Sequence, residues 1–418
     1  MAGIKDLKKD YRTIMDDHFA PRLEISFIDG EERTTLGYEK VSWVIEGVEK
    51  GLRYGENPGQ EAALYRLVSG NLKVGEVELL GPGKGLVTDV ELLQSGKHPG
   101  KTNLTDVDNA LNILRYLADR PACAIMKHNN PSGVAVRDSL AEAYRQANMA
   151  DRVAAFGGAV AFTLPVDRAT AELISENYLE VVAAPDYEEG ALELLAKRPN
   201  LRIVRVRRMD RLVEYASARV IEWKALMDGG LVVQTSFSLQ ARRPEDLLPA
   251  VCTYKGKEYR VERQPTEAEM RDLLFGWAVE AGVTSNSVLY VKDLVTVGIG
   301  TGEQDRVGVA QIARDKAYTK LGDRICFERT GKPYNELGDK DLRAEIDARV
   351  RAERGGIPGA CMVSDAFFPF RDGVDVGLAE GVTAVIQPGG SQNDYQAIEA
   401  CNEHKAAMVF TGQRSFKH

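Results

Sequence analysis

Apolar positions along the chain follow two periods, three-to-four and two, and turn-forming residues separate the stretches. LEISFIDG and KVSWVIEGV alternate, so residues 1–50 are expected to form a short charged helix followed by strands. Val107, Ala110, Leu111, Leu114 and Leu117 share a helical face. Thr105 and Asp108 stand in a capping-box arrangement and Pro121 is a stop, which predicts a helix over 105–120. The apolar run 122–126 reads as a buried strand ended by the polar turn NNPSG. Ser139 and Glu142 cap a helix with Leu140, Ala143, Tyr144 and Ala147 on one face, and the strand AAFGGAVAF follows.

Beyond residue 260 the same kind of unit returns. Thr266 and Glu269 cap a helix that turns Met270, Leu273, Leu274, Trp277 and Ala278 inward, with Gly282 as its stop. SVLYVKDLVTVGIG predicts a hairpin turning at Lys292-Asp293, and a helix with Val307, Ala310, Ala313 and Ala317 comes next. Residues 318–355 are charged and helix-prone. ACMVSDAFFPF, a helix near 375–380 and TAVIQPGG make another strand–helix–strand unit. This alternation defines an α/β fold with mixed sheets in two related halves, 51–215 and 216–418, the second with a helical insertion near 313–355.

Composition narrows the function classes. The chain has 418 residues, 44% hydrophobic and 28% charged, as expected of an ordinary soluble globular protein. It has no run of about 18 apolar residues and no apolar stretch in MAGIKDLKKDYRTIMDD, so a cytoplasmic protein without a membrane role is expected. Five scattered cysteines with no C-x-x-C pair argue for buried thiols, with neither zinc nor a redox dithiol. A net charge of −8 argues against nucleic-acid binding, and any anionic ligand needs a local basic cluster.

Several stretches have the residue types for chemistry. KHNNPSGVA sets Lys127 and His128 at the end of a strand, where an α/β sheet collects ligands. An imidazole beside a fixed cation suits a proton acceptor next to an oxyanion stabiliser; a surface pair before a turn is the plainer alternative. In LRYGENPGQ, Arg53 can grip a phosphate and Tyr54 can stack on a ring, or Arg53 is a structural loop residue. Phe156 and Gly157 open the FGG stretch, whose glycines mark a bulge or a close backbone approach. Asn286 precedes a strand. GIGTGEQDR matches neither the dinucleotide fingerprint nor a P-loop, and its Arg306 either holds an anion or ends a helix in solvent. SDAFFPFRDGVD joins Phe367, Phe368 and Phe370 to Asp372, either core or the wall of a ring-binding pocket. Arg414 lies in a C-terminal tail of the kind that normally frays. The H-x-E and P-C-x-x-C signature of zinc deaminases is absent.

Taken in order, LRYGENPGQ, KHNNPSG, AFGGAVAF, SNSVLYVKD, GIGTGEQDR, SDAFFPFRD and RSFKH resemble the transformylase part of the bifunctional purine-biosynthesis enzymes, over about residues 50–418. The resemblance implies formyl transfer from 10-formyltetrahydrofolate to the 5-amino group of AICAR (5-aminoimidazole-4-carboxamide ribonucleotide), with no metal in the chemistry. It also implies two cytidine-deaminase-like halves and a homodimer with active sites at the interface. By the same resemblance Lys127, His128 and Asn286 are catalytic. Arg53, Tyr54, Phe156, Gly157 and Arg414 contact the ribotide, as does Glu180, which stands where relatives have Asp. Phe367, Asp372 and Arg306 fall to the folate. Residues 1–50 stand where those enzymes have a cyclohydrolase domain, so ring closure to IMP is expected from a separate protein. Gly59, Glu303 and Asp305 depart from the usual pattern. The alternatives are another formyl donor, or a ribotide-binding protein without catalysis.

Overall fold

The computed structural model describes residues 13–418. The helix expected at the N-terminus falls largely outside them. Strands β1 (Arg22–Asp29), β2 (Glu32–Val41) and β3 (Leu64–Ser69) pair in that order as a small antiparallel sheet.

The body is one 12-stranded mixed sheet built from two runs of elements. The first run is β4 (Glu91–Gln94), α1 (Lys101–Leu114), β5 (Ala122–Lys127), β6 (Asn130–Val136), α2 (Leu140–Ala150), the short α3 (Arg152–Ala155), β7 (Ala159–Phe162), α4 (Arg168–Ser175), β8 (Val181–Ala184), α5 (Ala191–Ala196) and β9 (Arg202–Arg205). A hairpin of β10 (Ile221–Ala225) and β11 (Leu231–Thr235) lies between the runs. The second run begins with β12 (Leu248–Pro249), the hairpin β13 (Val251–Tyr254) and β14 (Lys257–Arg260), α6 (Glu267–Glu280), β15 (Val288–Lys292) and β16 (Val295–Gly300). It continues with α7 (Arg306–Thr330), α8 (Lys340–Ala352), β17 (Cys361–Ser364), α9 (Asp372–Ala379), β18 (Ala384–Gln387), α10 (Asp394–Glu403) and β19 (Ala407–Phe410).

In spatial order the sheet reads β12-β19-β18-β17-β15-β16-β6-β5-β7-β8-β9-β4. Each half has a hairpin (β5–β6, β15–β16), an antiparallel neighbour, two parallel pairings and an antiparallel edge strand. The halves join through β6 and β16, which run antiparallel. One half is therefore turned end for end relative to the other. The edge that carries Lys127 has the amino ends of β7, β8 and β9 but the carboxyl ends of β17, β18 and β19.

Burial differs between the two faces. On one, α1 and α6 share a single apolar cluster running across the seam, with Leu111, Leu114, Leu273 and Trp277 in it. On the other, α2 and α4 cover one cluster and α7, α9 and α10 cover another. A cleft opens between them at the seam.

Four expectations are corrected. Helix α1 begins at Lys101, four residues early, because Asn103 Oδ1 accepts the Gly100 N–H at 3.1 Å, and Thr105 and Asp108 lie inside the helix. The first turn is His128-Asn129, with φ of 53° and 59°, and the NPSG stretch belongs to β6. Positive φ at both central residues is what a two-residue I′ hairpin requires, and Pro131 is tolerated at a register shift between Pro131 and Gly133. The second turn falls one residue later than expected, at Asp293-Leu294. The charged stretch from 318 is no separate insert at its start: α7 runs unbroken to Thr330 and stops at Gly331 (φ 68°). Its last turns pack Leu321 and Ile325 against Ile346 and Val350 of α8.

Candidate active site

Helix α1 builds the Lys127–His128 turn from below. The Asp106 carboxylate accepts the Asn129 N–H at 2.6 Å, and the Asn109 amide donates to the Asn129 carbonyl at 2.8 Å. Burial raises the pKa of Asp106, opposed by the Asn129 N–H and by His128 and Lys127. Lys127 leaves the strand half-buried and donates to the Gly157 carbonyl at 2.9 Å. Gly157 has φ 70°, and a Cβ there would lie 3.2 Å from Lys127 Nζ. Its N–H donates to Tyr178 O, while Phe156 stacks obliquely on the Tyr178 ring at 4.9 Å. His128 stands exposed at the tip.

On the first-half side lies a buried cationic cluster. Arg53 is 6% exposed; it donates to Lys97 O at 3.2 Å and to Tyr54 Oη at 2.9 Å, and its Nε has no partner. Arg202, 1% exposed, donates to His98 O and to the Glu180 carboxylate at 3.3 Å. Burial and the neighbouring Arg53 push Arg202 down to about 10. Glu180 also accepts from Asn103 at 3.2 Å. Of the two neighbouring guanidiniums only Arg202 is paired with a carboxylate among the described residues, an excess of positive charge that favours an anion.

The second half contributes a polar knot. Asn130 Oδ1 accepts the Thr284 N–H at 2.9 Å and the Thr301 hydroxyl at 3.0 Å, tying the first hairpin to two loops of the other half. In one of them Asn286 donates to Glu303 O and Gln304 O, both at 3.0 Å, and accepts from Arg306 at 2.9 Å. Arg306 is neither a solvated helix end nor a free anion binder. It is buried against the Asp365 carboxylate, Ser364 Oγ and Ser287 O. Glu280, buried beneath them and bonded to Ser287, has its pKa pushed well up by burial and by Asp365. The tail does not fray: Ser415 N–H donates to Asp365 O, and Ser285 and Lys417 exchange hydrogen bonds. Lys417 also reaches Asn129 O at 3.4 Å.

The remaining candidates lie on this edge without joining these contacts. Arg414 is exposed over Phe416, 4.6 Å from its ring, and Phe367 is 41% exposed. Asp372 is exposed and accepts the Gly373 N–H. Phe368, between them in sequence, is fully buried. No group of three or more His, Cys, Asp or Glu among the described residues could hold a metal ion. No described helix is long and apolar enough to cross a membrane.

Sequence reading missed Asp106, Arg202, Asp365 and Glu280. It also missed two lysines of α7, Lys316 and Lys320. Their signal was available: with Val309, Ala313 and Ala317 they fall on the helix stripe that faces the sheet. They line a cleft of about 250 Å³ together with Lys127, His128, Asn130, Asp151 and Thr301.

Fold and site together define an α/β protein of duplicated topology, one sheet edge of which holds an imidazole, an ammonium and an under-neutralised guanidinium pair. Residues 18–316 match the family described as AICARFT/IMPCHase bienzyme, and the chain belongs to that family. The match includes strands β1 and β2, ahead of the boundary expected near residue 50. The chain is 39% identical over 399 residues to the bifunctional purine biosynthesis protein PurH of Magnetococcus marinus, covering 94% of this chain and 64% of that protein. It is 39% identical over 369 residues to PurH of Persephonella marina (88% and 59%) and 38% identical over 367 residues to PurH of Aquifex aeolicus (88% and 59%). The chain thus spans about six-tenths of the length of these relatives.

Proposed function

We propose that this chain works in purine biosynthesis and performs the formyl-transfer step, from 10-formyltetrahydrofolate to the 5-amino group of AICAR. The observation that carries this reading is the Lys127–His128 turn on the same sheet edge as the Arg53–Arg202 pair, whose excess positive charge suits the ribotide phosphate. Membership of the AICARFT/IMPCHase family and the PurH names of the relatives support it.

An aromatic amine conjugated with a carboxamide is a weak nucleophile, so its proton must leave as the new C–N bond forms. His128 accepts that proton while the amine nitrogen attacks the formyl carbon. The ammonium of Lys127 stabilises negative charge on the formyl oxygen. The bond from the formyl carbon to the folate N10 then breaks, and that nitrogen takes a proton as tetrahydrofolate leaves. Asn286 and Arg306 set the 303–304 loop against the partners, Phe156 and Tyr178 offer an aromatic wall, and Arg414 closes on the ribotide. Phe367 and Asp372 face the folate ring. We place the sites at the interface of a homodimer.

The test is turnover by the purified protein with both substrates, following tetrahydrofolate and any IMP. Tetrahydrofolate released in step with formyl-AICAR supports the reading, and IMP would add ring closure to this chain. Tight AICAR binding without turnover would contradict catalysis by this pair of substrates.

A further inference from the structure

The cleft at the seam holds more positive charge than the proposed chemistry uses. Lys316 and Lys320 lie one turn apart on the sheet-facing stripe of α7, where like charges at i and i+4 repel and an apolar pair would pack. Lys320 is matched by Asp151, 2.9 Å away, whose carboxylate also caps α3 through the Ala154 N–H. Among the described residues Lys316 makes no hydrogen bond or ion pair, and burial lowers its pKa, opposed by Asp151. With Lys127 also in its lining, the cleft has three ammonium groups to one carboxylate, and Thr296–Ile299 and Thr301 of the second half line it as well. A half-buried, unpaired lysine of this kind is stabilised by an incoming anion.

We propose that this cleft is an oxyanion site centred on Lys316, and that its occupant is a carboxylate of the formyl donor's glutamyl tail. The second half of the statement rests on the formyl-transfer reading. In that reading the ribotide phosphate goes to Arg53 and Arg202, and Arg202's strand β9 lies across β5 from the β6 and β16 residues that line the cleft. The other substrate also carries anionic groups, and the cleft shares its Lys127 and His128 wall with the reacting centre. Lysines, point charges on flexible stems, suit carboxylates that approach from more than one angle.

Binding is measured by calorimetry on the intact chain, without turnover, so that failure here and failure of the formyl-transfer reading are told apart. The probes are tri-γ-glutamate and inorganic phosphate. Tri-γ-glutamate should bind the unaltered protein, with Lys316→Gln weakening it about tenfold, the loss of one charge-assisted bond, and Lys316→Arg restoring most of it. A Lys316→Gln protein that melts as the unaltered one does excludes unfolding as the cause. Phosphate binding that depends on Lys316, without tri-γ-glutamate binding, overturns the glutamyl assignment. Equal affinities in the unaltered and Lys316→Gln proteins, or no binding of either probe, overturn the site itself.

Discussion

The two hairpins of the sheet are built alike and used differently. In each, a lysine ends the first strand, two residues of positive φ make the turn, and a buried aspartate from the preceding helix holds the turn amides. Asp106 takes Asn129 N–H in one; Asp272 takes Asp293 and Leu294 N–H, at 2.8 and 2.7 Å, in the other. Each lysine donates to a carbonyl just ahead of the neighbouring strand, Lys127 to Gly157 and Lys292 to Pro358. What differs is the tip, His128-Asn129 against Asp293-Leu294, and the surroundings. The first turn meets loops of the other half and the C-terminal tail through Asn130 and Asn129. The lysine, the aspartate and the turn are thus scaffold common to both halves. The imidazole and its neighbours are particular to the first.

Paired substitutions sharpen that comparison. The largest effect is expected where the second half alone has a buried ion pair. Arg306→Met leaves Asp365 uncompensated and should lower stability by about 3–5 kcal/mol in denaturant melts, whereas Thr163, at the matching place in the first half, holds only neutral bonds. Lys127→Met should cut the rate of formyl transfer by roughly 10²- to 10³-fold, and Lys292→Met should leave it unchanged. Asp106→Ala and Asp272→Ala each remove the acceptor for turn amides and should cost about 1–3 kcal/mol. Turnover should fall only with Asp106→Ala; a fall with both would erase the distinction between the turns.

Gly157→Ala and Gly359→Ala, at φ 70° and 79° with the new methyl 3.2 and 3.4 Å from the respective lysine Nζ, should each cost about 1–2 kcal/mol. Only the first should raise the KM for AICAR. The smallest effect lies in the helix caps. Burial raises the pKa of Glu269, but bonds from Arg263 and Thr266 prevail and hold it at about 2, against an ordinary 4.5. Its stabilisation is therefore complete above pH 4.5 and lost as pH falls towards 2. After solvent screening it is worth about 1 kcal/mol. Glu269→Gln should flatten that part of the acid-unfolding profile, while the matching cap on α1, Asn103, is uncharged and contributes no such slope.

Helical periodicity and capping pairs were enough to find α2 and α6, and apolar runs to find β5, β7 and the β15–β16 hairpin, because those signals are local. The Gly100–Asn103 cap was hidden because glycine has no side chain to announce a cap. The turn at His128-Asn129 was displaced because Asn-Pro-Ser-Gly is a stronger local turn signal than His-Asn, and only tertiary bonds from Asp106 and Asn109 decide otherwise. Arg306 was misplaced for a related reason: its partner Asp365 is 59 residues away in sequence, and no spacing rule connects them. Arg202 and Arg53 are likewise brought together only by the fold.

The most direct test is the turnover of His128→Ala beside Asp293→Ala under saturating AICAR and 10-formyltetrahydrofolate. A loss of roughly 10²- to 10⁴-fold in kcat for His128→Ala, with Asp293→Ala matching the unaltered protein, is the expected result. Undiminished kcat in His128→Ala would contradict the assignment of the first turn as the reacting centre.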